Sequence, residues 1–147
     1  MIITIPGEPQ GKGRPRFTKT GRAYTPERTR SYEALIEFCY KLQSNRKLEA
    51  TKEVHRVDGK VIEIPQAYKV EIWAFAGIPK SAPKWKSELM LTHWLKPTKK
   101  PDIDNIGKII LDGLNGRAWE DDSVVTELIV HKNYDEKPRV VVEINAI

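Results

Sequence analysis

The chain has 147 residues, 39% of them apolar and 31% charged, an ordinary balance for one folded domain spanning 1–147 and a poor one for disorder. No apolar run approaches the roughly 18 residues that a bilayer-spanning helix needs, and MIITIPGEPQ lacks the cationic start and long apolar stretch of a signal peptide. The formal charge of +5 is modest enough to serve solubility alone, so its distribution carries more information than its sum.

Met1 to Ile5 is a β-branched run stopped by Pro6 and Gly7, which predicts a first strand. The arm that follows, GEPQGKGRPRFTKTGRAYTP, is too rich in Gly and Pro for a helix. From Lys12 to Arg30 seven basic residues (Lys12, Arg14, Arg16, Lys19, Arg22, Arg28, Arg30) face one acid, Glu27. Such a patch attracts polyanions by releasing condensed counterions, which makes nucleic acid the leading partner class. Thr25 reads as an N-cap with Pro26 at the first helical position, opening a helix to about Leu42. Its apolar face is Tyr32, Leu35, Ile36, Cys39 and Leu42. Cys39, the lone cysteine, reads as a buried small hydrophobe, and its solitude fits a reducing, cytoplasmic compartment.

The charged insert from Asn45 to Gly59 reads as a loop or short ribbon, with Lys60 to Ile64 as hairpin partner or lead-in strand. Ala67 to Phe75 alternates as a strand, with Tyr68, Val70, Ile72 and Ala74 on one face. Ser81 to Met90 suggests a short helix capped by Ser81, with Pro83 in its first turn. Asp104 to Leu114 is a second good helix with an Ile106, Ile109, Ile110 and Leu114 stripe, ended by Asn115-Gly116. Val124 to Tyr134 and Arg139 to Ile144 read as strands joined by the polar turn Asp135-Glu136-Lys137-Pro138. This order predicts an α+β fold, a single domain with a mixed β-sheet and helices packed on one face.

The informative segment is Lys99-Lys100-Pro101-Asp102-Ile103-Asp104-Asn105, followed by Lys108, Asp112 and Glu120-Asp121-Asp122. Two aspartates at i and i+2 in extended backbone point the same way, about 6.6 Å apart at Cα. They can converge on a hard cation such as Mg²⁺, whose shell water and phosphate complete. Asp104 can also cap the following helix. Lys108 lies one turn after Asp104, where it can pair with a carboxylate or stabilise charge on a phosphate, and Asp112 a turn further can pair with Lys108. Each piece alone has a plainer reading as a cap, a surface pair or a solvated turn. Together they are harder to dismiss, because acids beside basic arms repel phosphate unless a cation intervenes.

The stretch KPDIDNIGKIILDGLNGRAWEDDSVV resembles the signature of the RusA family of Holliday-junction resolvases, and PGEPQGKGRPRFTKTGRAYTP resembles its phage and prophage members. The resemblance implies Asp102, Asp104 and Asp122 as metal-binding acids and Lys108 as catalytic lysine. The link from Lys108 to Asp122 is one residue shorter than in the best-known member of that family, which leaves Asp121 as the alternative ligand. It also implies a Mg²⁺-dependent endodeoxyribonuclease (Mn²⁺ the alternative ion), acting as a homodimer on four-way junction DNA by paired symmetric nicks in recombination and repair. Arg14, Arg16, Arg22, Lys12, Lys19, Lys99 and Lys100 are the expected DNA contacts. Phe17 or Tyr24 could wedge at the junction, although aromatics are more often packing anchors, and Trp119 reads as core beneath the site. His55, His93 and His131 have no ligand spacing. Two rivals share the basic arm: a non-catalytic junction or single-strand binding module, and a nuclease acting on flaps, forks or RNA.

Overall fold

The computed structural model describes residues 1–44, 46–48 and 50–147, with Thr51 and Lys52 described in their backbone only. Among the described residues, eight strands and three α-helices run in the order β1 (Ile2–Pro6), β2 (Arg16–Phe17), β3 (Ala23–Tyr24), α1 (Glu27–Gln43), β4 (Thr51–Val57), β5 (Lys60–Pro65), β6 (Tyr68–Gly77), α2 (Lys84–Leu91), α3 (Ile103–Leu114), β7 (Val125–Asp135) and β8 (Arg139–Ala146). The architecture is α+β. The main sheet has the order β1-β8-β6-β7, antiparallel except for the parallel β6–β7 pair, so it is mixed.

Alternation decides which face of the sheet is buried. Ile3 and Ile5, Val70, Ile72 and Ala74, and Val140, Val142 and Ile144 all point into one core. α1 and α3 cover that face, while α2 packs against the edge strand β7. Glycines let α3 come close on both sides. A Cβ at Gly113 would lie 2.9–3.0 Å from the Ile36 side chain of α1, and one at Gly107 would lie 3.1 Å from Leu128 on β7.

Several local expectations shift. Pro26, not Thr25, is the N-cap of α1: its backbone is non-helical (φ −55°, ψ 142°) while its carbonyl accepts from the Arg30 N–H at 3.1 Å. The buried stripe of α1 is Thr29, Tyr32, Ile36, Cys39 and Tyr40. Leu42 is 73% exposed, because at about 100° per residue it is turned away from that stripe. Pro83, not Ser81, caps α2. Val124 closes a 3₁₀ turn (Asp122–Val124), and β7 begins one residue later. Within the insert, β4 and β5 form an exposed antiparallel ribbon around Asp58-Gly59, both in left-handed backbone; Asn45 and Glu49 lie outside the described residues.

Candidate active site and nucleic-acid groove

The acidic segment folds around the start of α3. Asp102 is the N-cap, in extended backbone (φ −70°, ψ 151°), and its carbonyl accepts the first helical hydrogen bond, from the Ile106 N–H at 3.1 Å. The helix thus begins at Ile103, two residues earlier than a cap at Asp104 requires, and Asp104 sits in the first turn. This corrects two expectations: Asp104 is not the cap, and the aspartates do not share one extended run. One caps the first turn and the other lies within it, where the unsatisfied N–H groups and the positive end of the helix favour negative charge. Both are exposed, and neither carboxylate forms an ion pair or hydrogen bond among the described residues. Lys108, one turn along, is likewise exposed and unpaired.

The expected Lys108–Asp112 pair does not form. Asp112 is 2.7 Å from Lys12 Nζ, and the same ammonium donates to Glu33 of α1. The arm therefore reaches between the two helices and supplies the cation from 100 residues away in sequence. Burial pulls the Lys12 pKa down, but the hydrogen bonds and charges of Asp112 and Glu33 outweigh it and hold the pKa above 10.5. Of the seven arm cations Lys12 alone is ion-paired among the described residues, so its observed role is to anchor the arm. Glu33 gave no signal in the sequence beyond being an acid on an otherwise basic stretch.

Past the end of α3 the two neighbouring aspartates differ. Asp121 accepts a hydrogen bond from the Ser123 N–H at 2.9 Å and caps the 3₁₀ turn, and Ser123 holds its carboxyl below the usual range. Asp122 is half-buried, and its carboxylate has no partner among the described residues. The turn itself packs against α3. Trp119, 3% exposed, lies in the core beneath as expected: its indole N–H donates to Asn115 Oδ1 at 2.8 Å, and its ring tilts against Tyr68.

The arm is ordered by backbone contacts with α3 and α1. The Lys12 N–H donates to the Asn105 carbonyl at 2.8 Å, and the Gly13 N–H to Thr29 Oγ1 at 3.1 Å. Gly11 is required at this crossing, since a Cβ there would come within 2.9 Å of Pro101 and 3.1 Å of Asn105. Beyond it, β2 and β3 form a small ribbon whose turn is closed by the Thr18 N–H donating to the Arg22 carbonyl at 2.9 Å. Phe17 on that ribbon is 70% exposed, so it anchors no core.

Between the arm, α1 and α3 runs a groove of about 760 Å³. Arg14, Arg16, Arg28 and Lys100 line it together with Asp102 and Asn105. Lys19, Arg22, Lys99, Asp104, Lys108 and Asp122 lie outside its lining. With Lys12, which also lines the groove, the fold thus brings five cations of two distant segments to the first carboxylate of the acidic constellation. Among the described residues, no group of three or more acidic, histidine or cysteine side chains stands already converged on an ion position. The donor chemistry nevertheless suits a hard cation: Asp102 and Asp104 at the start of α3 and Asp122 in the turn that follows its end are carboxylates free of ion pairs among the described residues.

A family model described as Endodeoxyribonuclease RusA matches residues 6–145. The chain belongs to the RusA family. It is also similar to the "Uncharacterized protein YqaN" of Bacillus subtilis (strain 168), 32% identical over 153 residues that cover 99% of this chain and 95% of that one. The RusA match takes in the arm, the whole acidic constellation and, of the main sheet, β6, β7 and nearly all of β8. RusA membership makes the chain an endonuclease by family, and no helix among its described residues is long and apolar enough to cross a membrane.

Proposed function

We propose that this protein is a divalent-metal-dependent endodeoxyribonuclease that resolves four-way DNA junctions by paired, symmetric nicks, in DNA recombination and repair. The observation that carries this reading is the juxtaposition in one groove of arm arginines, unpaired among the described residues, with Asp102 at the start of α3. Carboxylates left unpaired beside a phosphate-binding surface oppose binding unless a cation sits between them and the backbone. Asp102, Asp104 and Asp122 would hold Mg²⁺, or Mn²⁺ in its place, with water and phosphate oxygens completing the shell. The bound cation supplies the Lewis acidity and the activated water that phosphodiester hydrolysis needs.

The protein's own residues do the rest. Lys108, exposed one turn from Asp104 and free of any carboxylate among the described residues, places its ammonium to stabilise charge developing on the cleaved phosphate. Arg14, Arg16, Lys19, Arg22, Lys99 and Lys100 neutralise flanking phosphates and set the position of the strand. Lys12 positions the arm through Asp112 and Glu33. Two equivalent nicks across a nearly two-fold-symmetric junction call for two equivalent sites, which a homodimer provides. The work is done where the DNA is, in the cytoplasm.

The test is incubation of the purified protein with a mobile four-way junction and with a matched linear duplex, each with Mg²⁺ and with EDTA. Paired nicks on the junction alone, only with Mg²⁺, are expected. Tight binding without cutting would instead make the chain a junction-binding module, and equal cutting of both DNAs would remove the junction selectivity.

A further inference from the structure

The most exposed large apolar side chain among the described residues is not on the arm. Trp94, in the turn after α2, is 84% exposed, and Trp85, in the first turn of α2, is 63% exposed. α2 points Met90 inward, while Trp85 and Leu89, one turn apart, share its outward side. Backbone geometry holds Trp94 out. The His93 N–H donates to the Met90 carbonyl at 3.1 Å, the Leu95 N–H donates to the Leu89 carbonyl at 2.9 Å, and His93 between them adopts left-handed backbone (φ 62°). A tryptophan fixed outward in this way meets solvent by construction, not by fraying.

Charge identifies its partner. Residues 80–100 hold six lysines against the single acid Glu88, a formal +5 (6 − 1), the same as the net charge of the whole chain. Lys96 donates to Asn133, whereas Lys80, Lys84, Lys86, Lys99 and Lys100 have no carboxylate partner among the described residues. Lysine is depleted at protein–protein interfaces. Exposed indoles set among free lysines are instead the composition of a stacking platform for single-stranded nucleic acid. The patch is also continuous with the groove, because the chain runs from Trp94 through Lys99 to Lys100 and Asp102, and the last two line that groove.

We infer that α2 and the turn after it form a second DNA-binding surface, on which Trp94 stacks an unpaired base while the neighbouring lysines hold the adjoining phosphates. The choice of DNA rests on the nuclease reading above; the stacking chemistry does not. A junction whose arms are opened at the crossover presents such unpaired bases, and so does any single strand.

The probe is a 20-nucleotide oligothymidylate, titrated in EDTA so that no cleavage intervenes, with tryptophan fluorescence as the signal. Quenching is expected in the wild type. Trp94→Ala should abolish most of it and weaken oligothymidylate binding about tenfold, Trp94→Phe should keep most of the affinity, and affinity for linear duplex should stay within about twofold. Unchanged oligothymidylate affinity in Trp94→Ala would overturn the inference, even if the wild type cuts junctions with Mg²⁺. Conversely, Trp94-dependent quenching in a protein that cuts no junction would retain the platform and remove the nuclease reading. A drop from dimer to monomer in sedimentation of Trp94→Ala, with DNA affinity per protomer unchanged, would assign the patch to self-association and overturn the inference.

Discussion

Lys12 Nζ lies 2.7 Å from Asp112 Oδ2, so a residue of the N-terminal arm is tied to the last turn of the helix whose start carries Asp102 and Asp104. Asp104, Lys108 and Asp112 are spaced one turn apart on α3, and a local reading joins the last two into a surface pair. The distant cation takes Asp112 instead and leaves Lys108 without a partner among the described residues, which is the state a phosphate-facing lysine requires.

Lys12→Met should therefore lower stability by about 1 kcal/mol, the modest end for charged hydrogen bonds because solvent reaches the pair. Its pH dependence has a definite sign. A lysine whose folded pKa is raised above 10.5 contributes stability that is fully present below the unfolded value and is lost as pH rises through the folded one. Melting curves of wild type and variant should differ at neutral pH and converge in strongly alkaline buffer. A gap that persists there would mean that packing of the lysine stem, not its charge, holds the arm.

The two acids after α3 should separate cleanly in a cleavage assay. Asp122→Asn is expected to cost on the order of a hundredfold or more in turnover with junction binding retained, the scale of losing an electrostatic group at the reacting phosphate. Asp121→Asn should keep the cap, because its amide oxygen still accepts from the Ser123 N–H, and leave most activity in place. The reverse ranking would transfer the ligand role to Asp121.

Charge reversal in the arm, Arg14→Glu with Arg16→Glu, should weaken binding to every DNA sequence. It should also reduce the slope of log affinity against log salt by about 0.9 for each phosphate that is no longer neutralised. Both side chains line the groove. An unaltered slope would mean that the arm is turned away from the DNA.

Gly11→Ala tests the crossing of the arm over α3. The new methyl would come within 2.9 Å of Pro101 and 3.1 Å of Asn105, so the arm must lift from the start of the helix that carries Asp102. Junction cleavage should fall while the urea midpoint moves little, since the main-sheet core is untouched. Gly113→Ala is the contrasting control. It forces a methyl against Ile36 in the core, and overpacking of about 1–3 kcal/mol should appear as a lower midpoint.

The strands of the main sheet and both long helices are legible in the chain because period-two and period-3.6 apolar patterns are local properties. Ile3, Ile5, Val70, Ile72 and Ala74 are buried as their alternation requires. The caps are less legible. Pro26, Pro83 and Asp102 end up as N-caps with no side-chain capping bond, so the usual Ser, Thr or Asp signal pointed one or two residues away in each case. Trp94 gave no signal at all: a tryptophan is as often core as surface, and only the backbone around His93 turns it out.

By itself the sequence determined the α+β class, the RusA family and the residues able to carry the chemistry, since each depends on residue type and short-range spacing. The tertiary structure decided which of those residues are free. Among the described residues Lys12 is ion-paired and Lys108 is not, Asp121 caps a turn and Asp122 does not, and Arg14, Arg16, Arg28 and Lys100 meet Asp102 in one groove. Ion pairs and grooves form between segments separated by tens of residues, and their partners are selected by the packing of α1, α3 and the arm, which no local pattern encodes.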